Sequence, residues 1–180
     1  FLELHPGFEL LGSWERSKKL IQEDYPEVKS FPSLESILED KSIELVIVNT
    51  PIDTHFEYTK KVLLAGKHAI VEKAFTSNVA EAKELAALAK EKGLKLAVFQ
   101  NRRWDSEFKT VKKILDEKLL GEIVEAEFHF DRYNPILSPK VHKETINSGS
   151  GILKDLGPHI IAQALYLFGL PNAVFADIRI

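Results

Sequence analysis

Cysteine and methionine are both missing from the 180 residues of this chain. Without cysteine, the chain cannot form disulfides or thiolate metal sites, and an intracellular setting fits this composition. The sequence also lacks an uninterrupted apolar run long enough to cross a bilayer, and it shows no signal-peptide pattern. We therefore expect a cytoplasmic protein without a membrane partner.

An excess of positive charge is missing as well. Lysine and arginine total 24, against 27 aspartate and glutamate residues, so the formal net charge is −3. The basic residues are scattered rather than grouped in blocks, which gives no reason to expect a nucleic-acid partner. The hydrophobic content of 44% and the charged content of 28% are typical of a soluble globular chain that buries a real core.

Both ends of the sequence lack the signs of a complete protein. The chain begins with "FLELHPGFELLGSW", without an initiator methionine and already in the middle of a pattern. It ends with "AVFADIRI", a strand-like run with no partner after it. We expect this segment to be part of a longer chain.

Apolar runs and helical repeats alternate through the first two thirds of the sequence. Residues 43–50 form a nearly continuous apolar run, which is typical of a strand buried on both faces of a parallel sheet. Ser33 suits a helix N-cap, and Gly66 and Gly93 suit positions just after a helix. The short links favour βαβ units and an α/β fold, a Rossmann-type doubly wound parallel sheet. The predicted strands are residues 8–14, 43–50, 68–72 and 94–100, and the predicted helices are residues 17–24, 33–40, 53–65, 78–93 and 106–118.

Gly121 marks a change of pattern. Residues 122–133 alternate charged and apolar side chains with a period of two, which predicts a strand with one wet face in an antiparallel or mixed sheet. A polar loop and an apolar helix follow, and residues 173–180 are predicted to form a last strand. We therefore place a domain boundary here, with domains at residues 1–120 and 121–180.

Polar side chains follow every predicted strand of the first domain. Ligands of open parallel sheets bind beyond the carboxyl ends of the strands, so four polar ends that converge on one edge indicate a binding crevice. The alternative is that strand ends are polar because they meet solvent. The candidates for phosphate, ribose or amide contacts are Glu15, Arg16, Asn49, Thr50, Pro51, His55, Glu72, Asn101 and Trp104.

Glu15 and Arg16 bear on the choice of cofactor. An acidic residue after the second strand of a dinucleotide fold accepts hydrogen bonds from the adenine-ribose hydroxyls, and Glu15 has that place if residues 8–14 are that strand. Arg16 suits stacking on adenine or contact with a 2′-phosphate. Glu15 favours NAD and Arg16 leaves NADP open, although both residues also suit a solvated turn. The glycine-rich phosphate loop that should precede this strand is not in the sequence.

Lys73 comes directly after the predicted strand at residues 68–72. It points to the opposite side of an extended chain from Glu72, so the two side chains need not pair. A lysine at the mouth of a pocket can orient a substrate hydroxyl and favour its ionisation through its positive charge. The alternative is a surface lysine that ends a buried strand.

Asp155 and His159 are four residues apart, so on a helix they share a face. Pro158 is tolerated only in the first turn of a helix, which predicts a helix start near Asp155. Three interpretations are open: an N-cap aspartate beside a helix-start histidine, a carboxylate that orients an imidazole acting as general base, and a metal pair. Only two ligands are visible in this segment, so we expect no metal.

Three stretches of the sequence carry a resemblance to a known family. They are "VNTPIDTHFEYTKKVLLAGKHAIVEKAF", "NRRWD" and "GSGILKDLGPH". Together they resemble the Gfo/Idh/MocA oxidoreductases, which are similar to glucose–fructose oxidoreductase and inositol dehydrogenase. The resemblance implies a Rossmann domain for NAD or NADP at residues 1–120, preceded by a segment with the glycine-rich loop. At residues 121–180 it implies the start of an α+β substrate and oligomerisation domain with a large, mostly antiparallel sheet.

The resemblance also implies roles for individual residues. The lysine of the family's Glu-Lys-Pro segment corresponds to Lys73, and its catalytic aspartate and histidine correspond to Asp155 and His159. Two positions depart from the family pattern: Ala74 stands in place of proline, and Ala162 stands where an aspartate is frequent. The family's cofactor contacts correspond to Glu15, Thr50, Pro51 and His55.

The implied function is hydride transfer between nicotinamide and a carbinol or ketone carbon of a sugar, polyol or related small molecule. His159 would take or return the hydroxyl proton, Lys73 would polarise the same oxygen, and Asp155 would orient the substrate or His159. Two alternatives are a cofactor-sensing or regulatory protein, compatible with Ala74 and Ala162, and an NAD-dependent glycosidase. We also expect a homo-oligomer, a dimer or a tetramer.

Overall fold

Five short strands form two parallel sheets in the described part of the computed structural model. The described residues are 5–16, 20–131, 133, 135, 136 and 150–178. The strands are β1 (Gly12–Ser13), β2 (Lys29–Ser30), β3 (Leu45–Val48), β4 (His68–Glu72) and β5 (Leu96–Phe99). One sheet pairs β1 with β2, and the other has the order β3-β4-β5, with every pairing parallel.

Helices alternate with these strands, which confirms the predicted α/β fold with parallel strands. They are α1 (Ile21–Asp24), α2 (Leu34–Glu39), α3 (Ile52–Leu64), α4 (Val79–Glu91), α5 (Ser106–Asp116), α6 (Ile152–Asp155) and α7 (Gly157–Phe168), with a 3₁₀ helix at Asn101–Trp104. Among the described residues, no helix combines the length and the apolar character needed to cross a membrane.

The hydrophobic core lies between the three-stranded sheet and the helices α3 and α4. Val48 is in register with Val71, and Val71 with Val98, so the carboxyl ends of the three strands align at one edge of the sheet. Burying a Val or Leu side chain contributes roughly 1.5–3 kcal/mol, so this cluster anchors the edge. The buried members of the cluster are Val48, Val62, Leu63, Ala69, Val71, Leu85 and Ala89.

Local signals set the ends of the helices next to this core. Ser33 caps α2 by accepting a hydrogen bond from the main-chain nitrogen of Ser36, as predicted. Gly66 and Gly93 follow the last residues of α3 and α4 with φ of 77° and 66°, in the left-handed region that glycine adopts without a Cβ penalty. The two predicted helix stops are therefore confirmed.

The first predicted strand is shorter than expected. Of residues 8–14, Gly12 and Ser13 pair in the sheet, and Phe8 is exposed. A cavity of about 710 Å³ lies between this segment and β3, and residues 8–11 pair with no strand among the described residues. The helix predicted at residues 17–24 begins at Ile21, and residues 17–19 lie outside the described residues.

The strand predicted at residues 122–133 has no described ladder partner, and its expected alternation of burial is limited to residues 128–130, since residues 122–127 are exposed. Phe128 packs its ring against Phe168, and Phe130 packs against His159, while His129 between them is exposed. Residues 173–178 likewise form no strand among the described residues. A period of two predicts which face is apolar, whereas a strand also needs a partner chain segment.

Candidate active site

Three of the predicted polar segments lie at one edge of the three-stranded sheet. Thr50 and Pro51 follow β3, Lys73 follows β4, and Asn101 begins the 3₁₀ helix shortly after β5. The aligned register of β3, β4 and β5 brings their carboxyl ends side by side. The main chain turns directly from Pro51 into α3, so the amino end of this helix faces the same edge.

Lys73 makes the contact that joins this edge to the second part of the chain. Its Nζ lies 3.0 Å from Oδ1 of Asp155 and 2.6 Å from the main-chain oxygen of the same residue. Both side chains are less than one third exposed, at 18% for Lys73 and 29% for Asp155. The helix α6 is thereby held at the end of β4, and two of the three predicted catalytic residues are in direct contact.

Glu72 does not pair with the ammonium group of Lys73. Its Oε2 accepts a hydrogen bond of 3.2 Å from the main-chain nitrogen of Lys73, while the lysine side chain turns toward Asp155. The peptide bond between Lys73 and Ala74 is cis. The expectation that the side chains of Glu72 and Lys73 need not pair is therefore confirmed.

His159 is buried beside this ion pair, with 6% of its surface exposed. Its Nδ1 is buried and has no hydrogen-bond partner among the described residues. Burial lowers the pKa of His159 from its ordinary value of 6.5, the positive charges of Lys73 and Arg102 lower it further, and Asp155 opposes them. The imidazole is therefore held in its neutral form, which is the form that accepts a proton.

A helix begins at Gly157, two residues after Asp155, so the helix start predicted near Asp155 is confirmed and the N-cap interpretation of Asp155 is wrong. Asp155 is the last residue of α6, Leu156 separates the two helices, and α7 begins at Gly157. Pro158 cannot donate the hydrogen bond that would continue α6, and it sits in the first turn of α7, where proline is tolerated. Asp155 is consequently no N-cap of α7, and its carboxylate contacts Lys73 instead.

His55 is buried below the edge rather than exposed on it. Its side chain is 1% exposed, and main-chain carbonyl oxygens face both of its ring nitrogens. In this conformation main-chain carbonyls occupy both ring nitrogens of His55, so neither nitrogen is open for the predicted cofactor contact.

Glu15 and Arg16 follow β1, in the other sheet. Oε2 of Glu15 accepts a hydrogen bond of 3.2 Å from the main-chain nitrogen of Ile21 at the start of α1, and Glu15 also borders the 710 Å³ cavity. Arg16 is exposed. The ribose contact of Glu15 and the phosphate contact of Arg16 stay predictions.

Arg102, in the 3₁₀ helix at Asn101–Trp104, contributes its charge to the site, and the sequence analysis did not single it out. Nε2 of Gln163, on α7, donates to the main-chain oxygen of Arg102 at 3.3 Å, and this contact ties the 3₁₀ helix to the helix of His159. Arg102 pairs with Asp105 at 2.9 Å. The Arg-x-x-Asp spacing signals that pair, but the influence of Arg102 on His159 depends on the tertiary contact. Trp104 is largely exposed.

The chain matches two known families of protein domains. "Oxidoreductase family, NAD-binding Rossmann fold" matches residues 1–100, and "GFO/IDH/MocA C-terminal domain" matches residues 108–180. The first match alone covers more than half of the 180 residues.

Individual relatives agree with these matches. The uncharacterized oxidoreductase YdgJ of Escherichia coli is 43% identical over 96% of this chain and 50% of its own length. The scyllo-inositol 2-dehydrogenase (NADP(+)) IolW of Bacillus subtilis is 38% identical, again over 96% of this chain and 50% of its own length. A crystal structure of an oxidoreductase from Bacillus cereus is 36% identical with a TM-score of 0.82, over 95% of this chain and 49% of that one.

The chain spans about half the length of the curated relatives it matches. The strands β1 to β5 and Lys73 fall within the first matched region, and Asp155 and His159 fall within the second. The chain belongs to the GFO/IDH/MocA oxidoreductases, a family with an NAD-binding Rossmann fold.

Proposed function

We propose that this chain supplies the catalytic residues of a dehydrogenase that transfers a hydride between nicotinamide and a carbinol or ketone carbon of a polyol, sugar or related small molecule. The observation that carries the proposal is the contact between Lys73 and Asp155, residues 82 positions apart, beside the buried and neutral His159. The name of the relative IolW, an inositol dehydrogenase using NADP(+), supports a polyol as substrate.

The family binds NAD or NADP, and the polar groups at the strand ends fit such a cofactor. Two buried polar atoms near this edge, Oε1 of Gln100 and Nδ1 of His159, have no partner among the described residues. An unpaired buried polar atom costs about 1–3 kcal/mol, so a bound amide or hydroxyl would relieve that cost. The residues that we expect to hold the cofactor are Glu15, Arg16, Asn49, Thr50, Pro51, Glu72, Asn101 and Trp104.

The bound nicotinamide would supply the hydride acceptor or donor. In the oxidation direction, the neutral imidazole of His159 takes the proton of the substrate hydroxyl as the carbonyl double bond forms. Lys73 stabilises the negative charge that develops on the same oxygen. In the reduction direction, the imidazolium of His159 returns the proton to that oxygen.

Asp155 prepares Lys73 for this role. An ammonium group has three donors, and two of them point at Oδ1 and the main-chain oxygen of Asp155. One donor remains for a substrate oxygen.

The test is a substrate screen with the full-length protein, in which NAD and NADP are each incubated with polyols and sugars. We expect steady-state formation of NADH or NADPH with a subset of the polyols. Cleavage of glycosides without net formation of reduced cofactor would favour a glycosidase. Cofactor binding without turnover of any substrate would favour a regulatory protein.

A further inference from the structure

His55 lies in the first turn of α3 and is enclosed by the ends of two strands. Its Nε2 is 2.7 Å from the main-chain oxygen of Thr50, which follows β3. Its Nδ1 is 2.9 Å from the oxygen of Ala74 and 3.2 Å from that of Phe75, both in the turn after β4. The ring therefore spans the gap between the carboxyl ends of β3 and β4.

The carbonyl partners enclose the ring from both strand ends. A carbonyl oxygen accepts hydrogen bonds and never donates them, and a neutral imidazole has a single N–H. The ring therefore donates to the carbonyls on one side and packs against those on the other, and the tautomer decides which side receives the hydrogen bond.

The charged groups on the elements around the ring either make other contacts or are exposed, and the described hydrogen bonds of the ring are to main-chain oxygens. Glu72 accepts from the main-chain nitrogen of Lys73, and Lys73 pairs with Asp155. Two ion pairs involve α3 and α4, which pack together: Glu57 with Lys61, and Lys60 with Glu84. Glu81 accepts a hydrogen bond from the main-chain nitrogen of Ser77. Asp53 is exposed, and Tyr58 makes an edge contact with the ring of Trp14. The carbonyl oxygens, rather than a carboxylate, are thus the polar partners of the ring.

The carbonyls that His55 contacts lie next to Lys73, so the ring can fix the main chain that carries this lysine. On one side of Lys73, the sheet register fixes Glu72 against Phe99 of β5. On the other side, the first carbonyl after the lysine, that of Ala74, is held by His55. The main chain is therefore fixed on both sides of Lys73, and the same ring ties this turn to Thr50 at the start of α3.

We propose that His55 is a positioning residue, a buried imidazole that clamps the turn after β4 to the end of β3 and so aims the ammonium group of Lys73. Its effect on turnover rests on the function proposed above for Lys73. Its effect on the position of the lysine does not depend on turnover, so the two ideas can fail separately.

The experiment compares H55F with H68F in the full-length protein. Both substitutions remove an imidazole that borders β4, but His68 lies at the amino end of the strand, where its Nδ1 accepts from the main-chain nitrogen of Lys95. In H55F we expect kcat to fall about 10–100-fold, the effect of a small misplacement of a catalytic group, while the Kd for NADH is retained. We also expect the NMR signal of the Lys73 ammonium group to shift.

H68F should keep both kcat and the Lys73 signal. An unshifted Lys73 signal in H55F, or an equal shift in H68F, would overturn the positioning role. If H55F does not fold, the same comparison is made with H55Q, whose amide can satisfy one side of the clamp and should give a smaller shift. If the wild-type protein lacks turnover but the Lys73 signal still shifts in H55F, the function proposed for Lys73 is wrong and the positioning role of His55 is retained.

Discussion

Nζ of Lys73 lies 3.0 Å from Oδ1 of Asp155, although 82 residues separate them in the chain. The contact joins the end of a central strand to a short helix in the region of the second family match. It also places two opposite charges within reach of His159, whose pKa both of them influence. Their combined geometry gives the protein a fixed cation and a neutral base at one place.

The substitution K73M should remove the cation while keeping the length of the side chain. We expect kcat to fall by about 10²–10³-fold, the usual effect of losing one stabilising donor in an oxyanion site, with little change in the Kd for NADH. Steady-state kinetics and fluorescence titration measure the two quantities.

K67M is the matched control for that substitution. Lys67 is also buried, and its Nζ donates to the main-chain oxygens of Asp40 and Ile43 at 2.7 and 2.8 Å, but it lies before β4 rather than after it. K67M should lower the free energy of unfolding and leave kcat unchanged. An equal loss of kcat in K67M and K73M would show that the effect is structural.

The substitution D155N should keep an oxygen near Lys73 but remove the negative charge. Charge-assisted hydrogen bonds contribute about 1.5–3 kcal/mol, and this pair is mostly shielded from solvent, so we expect a clear decrease in the free energy of unfolding in urea. The exposed pair of Lys112 and Asp116 provides the control, since D116N should cost about 0–1 kcal/mol. Equal effects of D155N and D116N would contradict the account.

The pH profile should report the lowered pKa of His159. Loss of the neutral imidazole should make kcat/KM fall as the pH drops through that pKa, below the ordinary histidine value of 6.5. In the unfolded chain this histidine binds its proton at a higher pH, so His159 also makes folding less favourable as the pH falls through the same range. H129N, which alters an exposed histidine, should leave the profile unchanged.

The substitution R102Q should move the acid limb of this profile to higher pH. The positive charge of Arg102 lowers the pKa of His159, so removing that charge lets the pKa rise. R103Q is the control, because Arg103 stands over the ring of Tyr166 and is not among the charges that shift His159. A limb that moves equally in both variants would indicate a general loss of positive charge.

Gly93 offers a test of the fold away from the proposed site. Its φ of 66° lies in the left-handed region, so G93A should lower the free energy of unfolding by about 1 kcal/mol. G93N should cost less, because asparagine tolerates this conformation better than alanine. Equal unfolding midpoints for the two variants would contradict this explanation of the stop after α4.

The sequence was sufficient for the elements whose side chains are buried in a regular pattern. The helices α3 and α4 end where Gly66 and Gly93 were expected to stop them, and β4 has the predicted bounds. Apolar periodicity and helix stops are local properties of the chain, which is why one sequence reveals them.

Features that depend on a distant partner were not predictable in this way. The break between α6 and α7 rules out the N-cap interpretation of Asp155, which forms an ion pair with Lys73 instead. The pattern at residues 122–133 indicated an apolar face, which is part-buried at Phe128 and Phe130, but gave no paired strand among the described residues. The burial of His55 depends on carbonyls 19 and 20 residues away, and no spacing rule in the sequence indicates them.

The most direct test of the account measures cofactor affinity and turnover side by side in H159N of the full-length protein. Asparagine keeps a polar side chain but cannot act as a base in the relevant pH range. The account predicts an unchanged Kd for NADH and a fall in kcat of about 10²–10⁴-fold, the usual contribution of a general base. A variant that binds NADH and oxidises the polyol at the wild-type rate would contradict it.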